Sequence, residues 1–235
     1  MPLPPRYSVY LFDVDGPLVN SVEPALGATR MVLDHFELPS LDIDEWRQLN
    51  KPPYEQFWKN LGVPKEDVKT ALSLYSTFFN ELRHTTTQPL EVLYTLKALR
   101  SKHIGVVTDG SRRSWEKNVE MFGLDEYVSV AITRDDCPER KPLPNPLLLA
   151  MERLGLPKKR IREHRVRGLM IGDTAADITA GRNAGLDTAA IIYVGSYNNK
   201  ERLEVKEPTF LIPRLDIITR RNELKNYQIN PSRYG

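Results

Sequence analysis

Cysteine is almost missing from this 235-residue chain. Cys137 stands alone, so neither an intramolecular disulfide nor a cysteine-based metal cluster can form, which fits a reducing compartment. Excess charge is nearly missing too. With 33 Lys and Arg against 31 Asp and Glu, the formal net charge of +2 is far from the basic balance of phosphate-backbone binders, so no nucleic-acid partner is expected. No apolar run approaches membrane-spanning length, and the opening MPLPPRYS has no apolar stretch resembling a signal peptide. A cytoplasmic protein with no membrane partner is the expectation. Internal repeats and low-complexity tracts are also lacking. What remains, 40% hydrophobic and 27% charged residues, is ordinary globular composition, and 235 residues can hold one sizeable core or a core plus a small accessory domain.

The stretch Leu11-Phe12-Asp13-Val14-Asp15-Gly16-Pro17-Leu18 organises the rest. Tyr7 to Phe12 is an apolar, β-prone run that Gly16-Pro17 stops, so Asp13 and Asp15 emerge where a buried strand ends. Open α/β sheets bind ligands at that edge. Two acids so close repel each other unless a divalent cation lies between them or one keeps its proton, and both states suit phosphoryl transfer. Beyond the strand, Val22, Ala25, Leu26, Thr29, Val32, Leu33 and Phe36 recur at helical spacing. Tyr54, Phe57, Trp58 and Leu61 do the same, and so does the set from Val68 to Leu82. We therefore expect an all-helical cap domain over residues 21–88, inserted into a core of residues 1–20 and 89–235.

From Pro89 onward, helices alternate with short apolar strands, the grammar of βαβ units. Ile104–Val107, Val128–Ile132, Leu169–Ile171, Ala189–Val194 and Thr209–Ile212 read as strands. Helices are expected from Ser111 to Phe122, Leu147 to Leu154, Ala175 to Ala184 and Leu215 to Leu224, with Gly123 and Gly185 as stops. The fold class is α/β, a Rossmann-like doubly wound parallel sheet. The polar tail from Asn226 is expected to be loosely held, and the basic cluster from Lys158 to Arg167 to be a solvated connection. Four polar sites follow four strand-like runs: Asp13 with Asp15, Thr108 with Asp109 and Gly110, Lys141, and Asp173 with Asp177. In a doubly wound sheet such strand ends converge on one crevice, and together they offer a nucleophile, a hydroxyl donor, a cation and further carboxylates.

In this order and with these gaps, Asp13-Val14-Asp15-Gly16, Val106-Val107-Thr108-Asp109-Gly110, Lys141-Pro142 and Ile171-Gly172-Asp173-Thr174-Ala175-Ala176-Asp177 resemble the four motifs of the haloacid dehalogenase superfamily of phosphohydrolases. The likeness is strongest to its phosphoglycolate-phosphatase-like branch with a helical cap, and it spans about Tyr7 to Ile218. The resemblance implies that Asp13 attacks phosphorus to form an aspartyl-phosphate, and that Asp15 protonates the leaving oxygen and then activates water. It implies that Thr108, with backbone amides near Asp109 and Gly110, holds the phosphoryl oxygens while Lys141 neutralises charge. Asp13, the Asp15 carbonyl and Asp173 would bind Mg²⁺, with Asp177 one shell out. The expected activity is a Mg²⁺-dependent phosphatase acting on a small phosphorylated metabolite. The alternatives are a sugar-phosphate mutase resembling β-phosphoglucomutase, and a non-catalytic phosphate-binding regulator. Asp15 argues against a dehalogenase, because a halide leaving group needs no proton.

Two residues depart from the family pattern. Pro17 replaces the more common Thr or Val and fixes φ, and Asp109 stands where Asn is usual, adding a negative charge near a phosphate site. In the cap, Trp46 to Pro53 reads as a short polar segment between helices, and its Arg47 and Lys51 are candidates for an anionic leaving group.

Overall fold

The computed structural model describes residues 6–50, 53–156, 166–192 and 203–234. The chain divides into two compact units, one of residues 20–87 and the other of residues 1–19 and 88–235.

The smaller unit is helical. It contains α1 (Val22–His35), α2 (Ile43–Leu49), α3 (Tyr54–Asn60) and α4 (Val68–Leu82), with α1 packed along α4. Its two chain ends pair with each other, the Asn20 amide donating to Thr87 O at 2.8 Å and the Thr87 amide to Asn20 O at 3.2 Å. α2 corrects the expectation of a polar loop from Trp46. Asp42 accepts from the amides of Asp44 and Glu45 while the Glu45 side chain takes the Asp42 amide, and this reciprocal box starts a helix that propensity alone leaves marginal. Trp46 is fully buried, and its indole N–H donates to Thr29 Oγ1 at 3.0 Å. Trp58 lies edge-on to both Phe57 and Tyr75, with ring centroids 4.9 and 5.9 Å away.

In the larger unit β1 (Val9–Phe12), β2 (His103–Val107), β3 (Val130–Ile132), β4 (Gly168–Gly172), β5 (Asp187–Ile191) and β6 (Phe210–Ile212) form a parallel sheet in the order β3-β2-β1-β4-β5-β6. α5 (Leu90–Ala98), α6 (Arg112–Phe122), α7 (Asn145–Arg153), α8 (Ala175–Ala184) and the short α9 (Arg221–Leu224) accompany it. β1 shows why both faces must be covered, because all four of its residues are buried and successive side chains point oppositely. Tyr10 and Phe12 join Val92 and Leu96 of α5 and Trp115 of α6. Val9 and Leu11 join Leu147, Ala150 and Met151 of α7 and Ala180 of α8. Strand order reverses between β1 and its neighbours β2 and β4, the switch point at which open sheets form a crevice.

Three expectations at the C-terminal side are corrected. β5 begins at Asp187 rather than Ala189, its first two residues being polar yet fully buried; residues 193 and 194 lie outside the described residues. The expected helix from Leu215 to Leu224 is a 3₁₀ turn, Leu215–Thr219, followed by α9, with a non-helical Arg220 between them. The Asp216 carboxylate, bound by Arg214 and Arg220, gathers the chain around itself there. The tail is not loose. Ser232 Oγ (2.6 Å) and the Arg233 amide (2.7 Å) donate to the buried Asp187 carboxylate, which Tyr7 Oη also reaches at 2.6 Å. Tyr234 Oη accepts from the Gly168 amide at 3.1 Å. Of the basic cluster, Lys158 to Arg165 lie outside the described residues.

Candidate active site

β1 delivers Asp13 to the switch point. The Asp13 amide donates to Ile171 O at 2.9 Å, continuing the β1–β4 ladder one residue past the strand, and the Val14 amide donates back to Asp13 Oδ1 at 2.8 Å. The chain then closes a tight turn in which the Gly16 amide donates to Val19 O. Gly16 has φ +105°, and a Cβ there would lie 2.4 Å from Asp173 Cγ, so only glycine lets the turn lie against that carboxylate.

β4 delivers Asp173 to the same edge, and Thr174 caps α8. Thr174 and Asp177 form a reciprocal box: Asp177 Oδ2 accepts from the Thr174 amide (3.0 Å) and hydroxyl (2.6 Å), while the Asp177 amide donates to Thr174 Oγ1. The other oxygen, Oδ1, accepts from Lys141 Nζ at 2.6 Å. Lys141 Nζ also lies 3.0 Å from Asp13 Oδ1 and donates to Val107 O at 3.0 Å. The lysine thus joins the ends of β1 and β2 to the start of α8. Its side chain is 2% exposed and that of Asp177 is wholly buried. Burial alone would lower the Lys141 ammonium, but Asp13, Asp177 and Asp109 outweigh it and hold the group above its ordinary value, so it stays charged. Burial pushes the Asp13 carboxyl up, Lys141 opposes that, and Asp177, Asp15 and Asp173 reinforce it.

Thr108 directly follows β2 and is buried. Its Oγ1 accepts from the Gly110 amide at 3.0 Å, which leaves its own O–H to donate elsewhere. Asp109 is exposed at the rim. Its backbone carbonyl accepts from Arg140 at 3.3 Å, and its carboxyl is raised, first by desolvation, with Lys141 and Arg140 pulling the other way. Asp15 is half-buried in the turn after β1. Arg47 lies in α2 of the helical unit, 3.6 Å from Asp44, and Lys51 lies outside the described residues.

Asp13, Asp173 and Asp177 each place a carboxylate oxygen within 4.8 Å of the others. Three buried acids beside one lysine gather negative charge in one place, and the donors are all oxygen. That set suits a hard divalent cation. Asp177 has both oxygens engaged, by Lys141 and by Thr174, and so is placed to hold the lysine. One group escaped the sequence reading. Asp136, after β3, accepts from Thr133, Arg112 and Arg153, and an acid beside a second acid, Asp135, in a loop gives no spacing signal.

A model of the haloacid dehalogenase-like hydrolases matches residues 10–191. Pyrophosphatase PpaX of Bacillus velezensis is 27% identical over 214 residues, covering 89% of this chain and 94% of that protein. The protein of the same name from Halalkalibacterium halodurans is 30% identical over 186 residues, covering 78% and 82%. A crystal structure titled as a predicted phosphoglycolate phosphatase, from Haemophilus somnus, shares the fold with a TM-score of 0.77 at 21% identity, over 91% of this chain and 97% of that one.

Proposed function

Since this chain belongs to the haloacid dehalogenase-like hydrolases and is a phosphohydrolase, we propose that it hydrolyses a small phosphate ester or anhydride through an aspartyl-phosphate, with Mg²⁺ as its metal. The observation that carries this is the bridge of Lys141 Nζ between Asp13 at 3.0 Å and Asp177 at 2.6 Å, with Thr108 and Asp173 at neighbouring strand ends. A carboxylate oxygen of Asp13 attacks phosphorus in line, and the bond to the leaving oxygen breaks as Asp15 gives that oxygen a proton. Asp15 then takes a proton from water, the water attacks the acyl-phosphate, and inorganic phosphate leaves with Asp13 restored. Lys141 and the Thr108 hydroxyl offset the charge on the phosphoryl oxygens. Asp13, Asp173 and the Asp15 carbonyl would hold the ion; when bound, it supplies further positive charge to the transferring group. Relatives bearing the name pyrophosphatase support placing pyrophosphate in the test panel.

The test is phosphate release over a panel of phosphorylated metabolites and pyrophosphate, with product analysis to detect an isomerised substrate. Release of phosphate from at least one small substrate is expected; isomer without phosphate would replace hydrolysis by mutase chemistry. The metal assignment has its own measurement. Turnover should vanish in excess chelator and return with Mg²⁺, whereas Ca²⁺, whose looser shell admits bidentate carboxylates, should raise the melting temperature without supporting turnover. Equal rates with both ions would refute the assignment.

The helical segment is proposed as the cap, with Arg47 and Lys51 reading an anionic leaving group. Arg47→Ala should then raise KM for such a substrate by about tenfold, the worth of a charge-assisted contact, and leave aryl phosphate hydrolysis nearly unchanged. Equal losses on both substrate types would point to helical-unit folding instead.

A further inference from the structure

The segment carrying Lys141 runs from the end of β3 to the start of α7 without regular structure, so side chains have a large share in fixing the lysine's place. Asp136 is the best-connected of them. Its Oδ2 accepts from the Thr133 amide at 2.9 Å, the Thr133 hydroxyl at 2.7 Å and Arg112 Nη2 at 2.5 Å, and its Oδ1 accepts from Arg153 Nη1 at 3.0 Å. Arg112 is the first residue of α6 and Arg153 the last of α7, so one carboxylate joins the loop to two helices. Arg112 also donates from Nη2 to Ala131 O at 2.9 Å and from its amide to Asp135 Oδ2 at 2.7 Å. Two further ties cross to the Thr108 loop, Arg134 N to Gly110 O at 3.0 Å and Arg140 Nη1 to Asp109 O at 3.3 Å.

We propose that Asp136 is a positioning residue for phosphoryl transfer, holding the Lys141 loop and the Thr108 loop at the separation that lets both groups meet one phosphoryl group. The inference rests on Lys141 and Thr108 having the roles proposed above. Charge-assisted bonds to two guanidiniums make the tether stiff. Burial works against the charged form, yet Thr133, Arg153 and Arg112 outweigh it and keep the carboxylate ionised. The bonds of this cluster described above run to loop and helix atoms, so its effect on rate passes through geometry, and a displacement of about 1 Å at a reacting group costs on the order of 10²-fold.

The experiment compares wild type with Asp136→Asn and Arg112→Gln on p-nitrophenyl phosphate with Mg²⁺, well below each protein's melting temperature. Inhibition by orthovanadate and by inorganic phosphate is measured alongside, because orthovanadate adopts the five-coordinate geometry of the transferring phosphorus and phosphate does not. Asp136→Asn should lower kcat by roughly 10- to 100-fold with KM little changed. Orthovanadate inhibition should weaken by a comparable factor while phosphate inhibition holds, and Arg112→Gln should follow in the same direction with a smaller loss. A folded Asp136→Asn protein with wild-type kcat would overturn the proposal, as would equal weakening of both inhibitors, the mark of a site damaged as a whole. If Asp136→Asn does not fold, Arg112→Gln decides by the same criteria. Full activity of Lys141→Met would instead refute the roles beneath the proposal, and a low-activity Lys141→Met beside a normal Asp136→Asn would refute the proposal alone.

Discussion

Asp13→Asn protein should form no covalent phosphoenzyme and lose about 10⁴-fold or more in kcat, the scale seen when a covalent nucleophile is removed. The amide is nearly isosteric and can still accept the Val14 amide bond now made by Asp13 Oδ1, so the loss would report chemistry rather than folding. Asp15→Asn should fail differently. Attack by Asp13 remains possible, so nitrophenyl phosphate, whose leaving group needs little protonation, should be cleaved in a first turnover, while an alkyl phosphate should lose about 10²- to 10⁴-fold. Rapid-quench trapping of phosphoenzyme reads both variants. Residual activity of Asp13→Asn that is the same for every leaving group would remove Asp13 from the nucleophile's role.

Lys141→Met should cost the larger unit both stability and rate. It deletes the cation shared by Asp13 and Asp177, and leaving partners of a buried ion pair uncompensated costs about 3–5 kcal/mol. At about 2–4 °C per kcal/mol for a protein of this size, melting should fall by roughly 10 °C. The rate should fall further, by about 10²- to 10³-fold, as for other groups that stabilise developing charge. The pH dependence has a definite sign. The Lys141 ammonium is held above its ordinary value, so its stabilisation is complete below the unfolded lysine value of about 10.4 and is lost only as pH rises through the higher folded one. Wild-type stability should therefore show no lysine-linked loss between pH 7 and 9. In Lys141→Met the Asp13 carboxyl, already raised by burial, loses the cation that opposes that rise, and its protonation relieves the repulsion. The stability deficit should thus shrink as pH falls toward 5, measured by thermal melts across pH; a constant deficit would contradict the ion-pair account.

Legibility from sequence followed the source of each constraint. Where local sequence dictates local structure, the reading holds: α6 ends at Phe122 with Gly123 at φ 62°, and α8 ends at Ala184 with Gly185 at φ 84°. Core strands announced themselves as apolar runs because the sheet is buried on both faces. The misses share a different cause. α2 was hidden because its evidence is a pair of side-chain bonds to backbone, with one buried residue, Trp46, rather than an apolar stripe. The start of β5 was hidden because Asp187 and Thr188 are polar and become strand residues only when partners distant in sequence satisfy them. At the site, the motif order singled out Asp13, Lys141 and Asp177, and the fold brings Lys141 Nζ within 3.0 Å of one carboxylate and 2.6 Å of the other. Asp136 lay outside every motif because its meaning depends on arginines 24 positions before and 17 after it.

Asp187 also constrains when the larger unit can be finished during synthesis. Its carboxylate draws hydrogen bonds from Tyr7, 180 residues earlier, and from Arg233, 46 residues later. A ribosome delivering the chain from its N-terminus would therefore present all six strands before the last donors emerge, and until then a fully buried acid would lack part of its shell. The sheet would assemble early and lock late, with the final register of β5 waiting on Ser232 and Arg233.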